Sequence, residues 1–392
     1  MSMPVIIAAR RTPIGRFLGA LSRTPAPKLG AYAIEAVLND VPGAREMVDE
    51  CIMGCVLQAG LGQNPARQAG LKAGLPDTLN AVTVNKVCGS GLQAVMLAGQ
   101  SIRAGDNRLV VAGGFENMSL APHLLYARTG IKYGPGQLVD HMAADGLTCA
   151  FEEWPMGCAA EWIAGEHGIT REEMDRFAVQ SHLRAAKATE AGIFKDEIIP
   201  LSAEQLGQKQ GCDTDEGFRT DTSIEALAKL RPAFDKSGTV TAGNASQISD
   251  GAAAVIVASE ERARELNAPV MARIVDQFTA GVAPKKLFMA PEIAITTLLE
   301  RNKITIDDID LVEINEAFAA QVLSNISRLG ISEEKLNLGG GGIALGHPIG
   351  ASGARVLVTL LHALKRTGGR RGFASLCLGG GNAVAMLVER PG

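Results

Sequence analysis

Four polar residues stand where side chains of their type can do chemistry. Cys88 lies in VNKVCGSGLQAV, after an apolar run of strand length and before Gly-Ser-Gly and an apolar helix. A thiol at a helix N-terminus meets unsatisfied backbone N–H groups and the positive end of the helix dipole, and both favour thiolate. The glycines beside it let another backbone, or a thioester, come close. His347, in GGGGIALGHPIGASGAR, is enclosed by glycine and small apolar residues, with Pro348 fixing the chain after it. So dense a glycine packing around a titratable ring points to a site rather than to a core histidine satisfied by one carbonyl. No Lys-Ser/Thr follows those glycines, so the segment does not read as a phosphate loop. Cys377, in ASLCLGGGNAVA, ends an apolar strand before three glycines, and Asn315, in EINEAFAAQ, ends another. Open α/β folds collect their ligands at the carboxyl ends of strands. Cysteine, histidine, asparagine and cysteine thus form one coherent set.

Those four residues need a frame to hold them. Strands are predicted at 4–9, 51–57, 81–85, 108–113, 252–258, 273–280, 311–315, 373–378 and 383–389. Helices are predicted at 27–38, 65–73, 89–104, 171–191, 290–301, 318–329 and 351–366. Strands separated by helices of this length imply an α/β fold with mainly parallel sheets covered by helices. The two ends also resemble each other. VDECIMGC and IDLVEINEAF are followed at nearly equal spacing by helices opening on Ser90-Gly91 and Ser352-Gly353, and then by strands leading to Gly113-Gly114 and Gly379-Gly380. This order reads as an internal duplication. Between the halves lies a charged, loop-rich segment, about 119–249, which carries both tryptophans and reads as an insertion, because the last strand of the first half, DGAAAVIVAS, returns only after it.

Composition bounds the rest. The 392 residues are 46% hydrophobic and carry a formal net charge of −4, enough chain for two or three domains. With only 4% aromatic residues and no basic excess, nucleic-acid binding is excluded as a function class. The N-terminus runs into a strand without a basic leader, and no stretch approaches a membrane span, so a soluble cytoplasmic protein is expected. Seven irregularly spaced cysteines do not form a disulfide framework. Cys51 and Cys55 lack a second ligand pair and are expected as buried thiols.

VCGSGLQAV, NEAFA, GHPIGASGAR and CLGGGNA resemble, in order and spacing, the four signature blocks of the thiolase family. TPIGRFLGAL and GTVTAGNASQISDGAAA extend the resemblance over nearly the whole chain, which looks most like the short-chain bacterial acetyl-CoA acetyltransferases. The resemblance implies an α/β, duplicated fold with two mixed, mainly parallel five-stranded sheets in α-β-α-β-α layers and an inserted loop domain. Residues 1–118 with 249–269 would form the N-terminal half, 119–248 the loop domain, and 270–392 the C-terminal half. The implied reaction joins two acetyl-CoA into acetoacetyl-CoA plus coenzyme A, or cleaves 3-ketoacyl-CoA, through an acyl-cysteine. A 3-ketoacyl-CoA thiolase of longer chain range is the alternative. Cys88 would be the nucleophile and His347 its activator. His347 and a water held by Asn315 would form one oxyanion hole, and the amides of Cys88 and Gly379 the other. Cys377 would be the general acid/base.

The same resemblance places Arg219 on the adenine of coenzyme A and Ser246 on its pantetheine, with Leu147, Met156, Phe234, Ala242 and Phe318 along an apolar tunnel. It implies no metal or prosthetic group, coenzyme A serving only as substrate and product, and a homotetramer joined through the 119–137 loop. Two positions depart from the short-chain pattern: Pro155, where those members often carry histidine, and Ala226, where a serine is common. Both bear on acyl-chain preference and coenzyme A affinity. Among rivals, a ketoacyl synthase would lack the Cys377 block. A non-catalytic binding protein would have lost one of the four residues, and a serine hydrolase would need a Gly-x-Ser-x-Gly elbow.

Overall fold

The computed structural model describes residues 2–128 and 130–391; Met1 and Gly392, at the outer ends of the two halves, and Thr129, within the 119–137 loop, lie outside the described residues. The first half contains β1 (Pro4–Arg11), the short β2 (Gly15–Arg16), α1 (Ala26–Asn39), β3 (Glu50–Gly54), α2 (Pro65–Lys72), β4 (Asn80–Val84), α3 (Ser90–Ala104) and β5 (Leu109–Asn117). The following segment adds the hairpin β6 (His123–Leu124) and β7 (Val139–Asp140), a π-helical turn at Met142–Leu147, and helices α4 (Met156–His167), α5 (Arg171–Glu190), α6 (Ala203–Leu206) and α7 (Ile224–Ala228). The chain then returns as β8 (Ser249–Ser259) and α8 (Glu260–Glu265). The second half holds β9 (Ala272–Gly281), α9 (Ala290–Asn302), β10 (Leu311–Ile314), α10 (Ala319–Leu329), α11 (Ile349–Thr367), β11 (Arg371–Leu378) and β12 (Asn382–Glu389).

Every strand and helix predicted above is present, with ends shifted by a few residues. The duplication is written in the strand order. The first half pairs as β4-β3-β5-β8-β1 and the second as β10-β11-β12-β9. In the second half a single parallel bridge, Val312 to Leu336, stands where β4 pairs in the first. Two features differ from the expectation of separate, mainly parallel sheets. Edge strands β1 and β9 pair through Val5–Arg273 and Ile6–Ala272, so hydrogen bonding runs through both halves. Along that order only β3–β4, β3–β5 and β10–β11 are parallel. The reason lies in the connections: parallel neighbours need a long crossover, whereas β11 turns straight into β12 through Gly379–Gly381 and β8 runs antiparallel between β5 and β1.

The layers follow from which faces are apolar. Along β1, Ile6 and Ala9 face one core and Val5 and Ile7 the other, so the strand is buried on both sides. Helices α1 and α2 cover the outside of the first half and α9 the outside of the second. Helices α3 and α11 lie between the halves, touching strands of both and each other. Their crossing depends on two glycines: a Cβ on Gly91 would stand 2.8 Å from the Ala354 nitrogen, and one on Gly353 would clash with that of Leu92. Gly91 and Gly353 are the matched residues of the repeat, so the central layer carries a pseudo-twofold relation.

Candidate active site

Both central helices open towards one place, where the ends of β4, β10 and β11 also arrive. Between β4 and α3 the chain makes a strained elbow. Val87, a β-branched residue, holds a left-handed φ of 48°, a conformation that persists only when its surroundings enforce it. The enforcement is local. The Val87 N–H donates to Asn85 Oδ1 at 3.1 Å, the Ser90 hydroxyl donates to the Val87 carbonyl at 2.6 Å, and the Lys86 N–H donates to Ser90 Oγ at 2.8 Å. The elbow delivers Cys88, half-buried, to the wall of a cavity of about 650 Å³.

Two amide N–H groups, its own and that of Gly379, face the Cys88 sulfur and favour thiolate, but burial outweighs them and pushes the thiol up to about 11. This corrects the expectation drawn from the helix N-terminus. Burial thus favours the protonated thiol at Cys88 over the thiolate that the amides favour. Cys377, at the end of β11, is 2% exposed; burial and then the nearby Cys88 push its thiol well above the usual range. His347 lines the same cavity. Burial, then the charge of Arg355, pushes its ring down to about 3, so it is neutral. Its backbone N–H donates to the Gln247 carbonyl at 3.0 Å, and its Nδ1 lies 2.6 Å from Ser352 Oγ. Asn315, fully buried just after β10, brings its amide nitrogen to 3.3 Å from His347 Nε2 and 3.5 Å from Nδ1, while its Oδ1 has no protein partner. The four residues named from the sequence therefore converge, with Gly379 beside them.

Away from the thiols the cavity is an apolar tunnel. Leu147, Met156, Phe234, Ala242, Ser246 and Phe318 all line it, as expected. Phe318 packs edge-on against Phe234 at 6.1 Å and against Phe288 at 5.7 Å between ring centres. Pro155, the departure from the short-chain pattern, is also in the lining. Arg219 and Ala226 are exposed and outside it; the Arg219 N–H donates to His182 Nδ1 at 3.1 Å.

Sequence reasoning missed Phe288, Met118, Ile349 and Ile248, which complete the walls. Met118 follows the end of β5, so the strand-end rule could have found it, whereas Phe288 stands outside every signature block. It also missed Glu116, fully buried, whose carboxylate accepts the N–H groups of Val56, Leu57 and Gly350 at 3.0, 3.1 and 2.9 Å. Cys51 and Cys55 are buried, and among the described residues no three His, Cys, Asp or Glu side chains gather as a metal site would. Nor is any described helix long and apolar enough to cross a membrane.

A duplicated layered fold with two thiols, a neutral imidazole and a buried amide at the mouth of its central helices defines a class, and comparison with known proteins identifies it. The chain matches the family descriptions "Thiolase, N-terminal domain" over residues 4–261 and "Thiolase, C-terminal domain" over 268–390. It belongs to the thiolase family. It is 53% identical to the acetyl-CoA acetyltransferase of Chromobacterium violaceum, over 98% of this chain and 99% of that one. It is 52% identical to that of Cupriavidus necator, with both chains fully covered. A probable acetyl-CoA acyltransferase of Staphylococcus aureus is 51% identical, again over the full length of both. The crystal structure of the Bacillus anthracis acetyl-CoA acetyltransferase superposes with a TM-score of 0.96 at 42% identity, covering 100% of this chain and 99% of that one.

Proposed function

We propose that this protein transfers acyl groups between coenzyme A thioesters, making or cleaving 3-ketoacyl-CoA with an acyl-Cys88 intermediate. The observation that carries the proposal is the joint lining of one apolar tunnel by Cys88, Cys377 and His347. In the first half-reaction His347 takes the Cys88 proton, and the thiolate attacks the thioester carbonyl of acetyl-CoA. The tetrahedral oxyanion faces the amides of Cys88 and Gly379, and the leaving thiolate of coenzyme A takes the proton back from His347. Splitting one hard condensation into two thioester exchanges gives ping-pong kinetics. In the second half-reaction Cys377, once its own proton has left to solvent, removes a proton from the methyl of a second acetyl-CoA. Its enolate oxygen faces His347 and a water held by Asn315 while the carbanion attacks acetyl-Cys88 and expels the Cys88 thiolate, which is then reprotonated. Fixed donors of this kind are worth ~100- to 1000-fold each. Thiolysis runs the same steps backwards.

Coenzyme A enters along Met156, Phe234, Ala242, Ser246 and Phe318, with Arg219 on its adenine end and residues 119–248 acting as the loop domain between the halves. The protein is taken to work in the cytoplasm as a homotetramer, without metal or prosthetic group. The proline at position 155 supports a second reading for specificity, a chain range extended beyond acetoacetyl-CoA. The test is loss of acetoacetyl-CoA, followed at its magnesium-enolate absorbance after coenzyme A is added, for wild type and Cys88→Ala. Rapid loss that the variant abolishes supports the reading. Acetoacetyl-CoA preferred far above longer 3-ketoacyl-CoAs would sink the extended range, and no loss with any chain length would sink the function itself.

A further inference from the structure

We propose that Arg16 is a specificity-determining residue for coenzyme A: its guanidinium meets the diphosphate where the tunnel opens. The inference rests on the reading of the tunnel as the channel for the pantetheine arm. Coenzyme A divides into an uncharged arm, which an apolar tunnel accepts, and phosphates, which it does not, because an unpaired charge is costly to bury. The phosphates must stop where the lining turns polar and meets water. Arg16 stands there. Among the described residues it is the one charged side chain in the tunnel lining, His347 being neutral. It is exposed, and it also lines a polar cleft of about 440 Å³, so the two cavities meet at its side chain.

The backbone of Arg16 is held on several sides while its head is free. Strand β2 pairs with β8, setting Arg16 opposite Ser249. The Arg16 N–H donates to Glu216 Oε2 at 3.2 Å, and its carbonyl accepts the Gly19 N–H at 2.8 Å. The stem lies against Gly19, where a Cβ would stand 2.7 Å from Arg16 Cγ. Among the described residues the guanidinium itself has no hydrogen-bond or ion-pair partner. A planar guanidinium with its donors unspent is suited to grip two phosphate oxygens at once.

The neighbouring chain points the same way. The Glu216 N–H donates to the Ile14 carbonyl at 3.0 Å, and Gln247 Nε2 donates to the Gly217 carbonyl at 2.9 Å. The segment is thereby fastened beside Arg16 and to the tunnel lining. Arg219, read as the adenine contact, follows Glu216 within about 11 Å of extended chain. The diphosphate links pantetheine to adenosine, so it must pass between the tunnel and Arg219, where Arg16 stands. Asp213 and Glu216 line the same cleft. Without Arg16 this rim is acidic and repels phosphate.

The test compares coenzyme A with pantetheine, which has the same thiol arm and no phosphate, by calorimetry on wild type, Arg16→Ala and Arg16→Gln. Coenzyme A is expected to bind both variants about 3- to 10-fold more weakly, between the scales of an exposed ion pair and a charge-assisted hydrogen bond. Pantetheine binding should not change. In turnover, KM for acetoacetyl-CoA should rise by the same factor while kcat holds. Added salt should weaken coenzyme A binding to wild type more than to Arg16→Ala, as screening of a charge pair requires. Pantetheine weakened as much as coenzyme A would make Arg16 a prop of the tunnel wall and overturn the inference, as would coenzyme A bound equally by all three proteins. Should the variants not fold, wild-type binding of coenzyme A that is indifferent to salt overturns it. A wild type that turns over no 3-ketoacyl-CoA, yet shows the Arg16-dependent preference for coenzyme A over pantetheine, would overturn the acyl-transfer reading and leave the assignment of Arg16 standing.

Discussion

At Cys88 two environments act against each other. The amides of Cys88 and Gly379 pull the sulfur towards thiolate, the apolar tunnel pushes it towards thiol, and the tunnel wins. The consequence is kinetic. Alkylation of Cys88 by iodoacetamide should accelerate continuously between about pH 7 and 10, as expected of a thiol whose reactive thiolate is scarce. A rate flat across that range would mean a preformed thiolate–imidazolium pair and contradict the assigned order of proton transfer. The proposed mechanism gives Cys377 a separate duty, so its loss should separate the half-reactions. Cys377→Ala should still form acetyl-Cys88 from acetyl-CoA while losing at least ~100-fold in acetoacetyl-CoA synthesis, on the scale of general acid/base catalysis. An equal loss in both steps would place Cys377 elsewhere in the mechanism. Asn315 and His347 were recognisable before the structure because their neighbours are strand ends and glycines. Glu116 and Ser352 were not, because their partners are distant backbone groups or a side chain whose orientation only the fold sets.

The elements depend on close approach as much as on apolar pattern. Helices α3 and α11 cross at Gly91 and Gly353, where a methyl group would meet backbone nitrogen of the other helix. Gly91→Ala and Gly353→Ala should each destabilise by about 1–3 kcal/mol, the usual range for overpacking, readable as a shifted denaturation midpoint. Because the same helices carry Cys88 and the His347 loop, kcat should fall with stability; variants as stable as wild type would show that the crossing tolerates a methyl group. Strands and helices were legible in the sequence because apolar runs and helical periods differ in length. Strand direction was not. The antiparallel return of β8, the β11–β12 turn and the β1–β9 edge pairing are tertiary outcomes that no local pattern encodes. Helix α4 went unpredicted because its small apolar residues and its glycines, Gly157 and Gly165, give only a weak helical period.

Across the whole molecule, burial of carboxylates leaves a signature in stability. Burial pushes Glu116 from 4.5 up to about 7, against the three N–H groups that favour its ionised form. The folded state therefore keeps a proton that the unfolded chain releases above the ordinary carboxylate value. Its contribution is fully present below about pH 4.5 and is lost as pH rises through about 7. Glu116→Gln should remove that slope, on the order of a few kcal/mol, when denaturation is compared at low and high pH within this window; an unchanged slope would contradict the shift. Apolar residues of the 119–137 loop, among them Leu125, Tyr126 and Tyr133, stand exposed among the described residues. On the proposed homotetramer, Tyr126→Asp with Tyr133→Asp should halve the native mass measured by light scattering, and an unaltered mass would remove this loop from the proposed contact. The central claim is that Cys88 carries the acyl group. Acid quenching after brief exposure to acetyl-CoA, followed by peptide mass spectrometry, tests it most directly. The account predicts one acetyl group on the Cys88 peptide, discharged by free coenzyme A. Acetylation absent, or found on Cys377 instead, would contradict it.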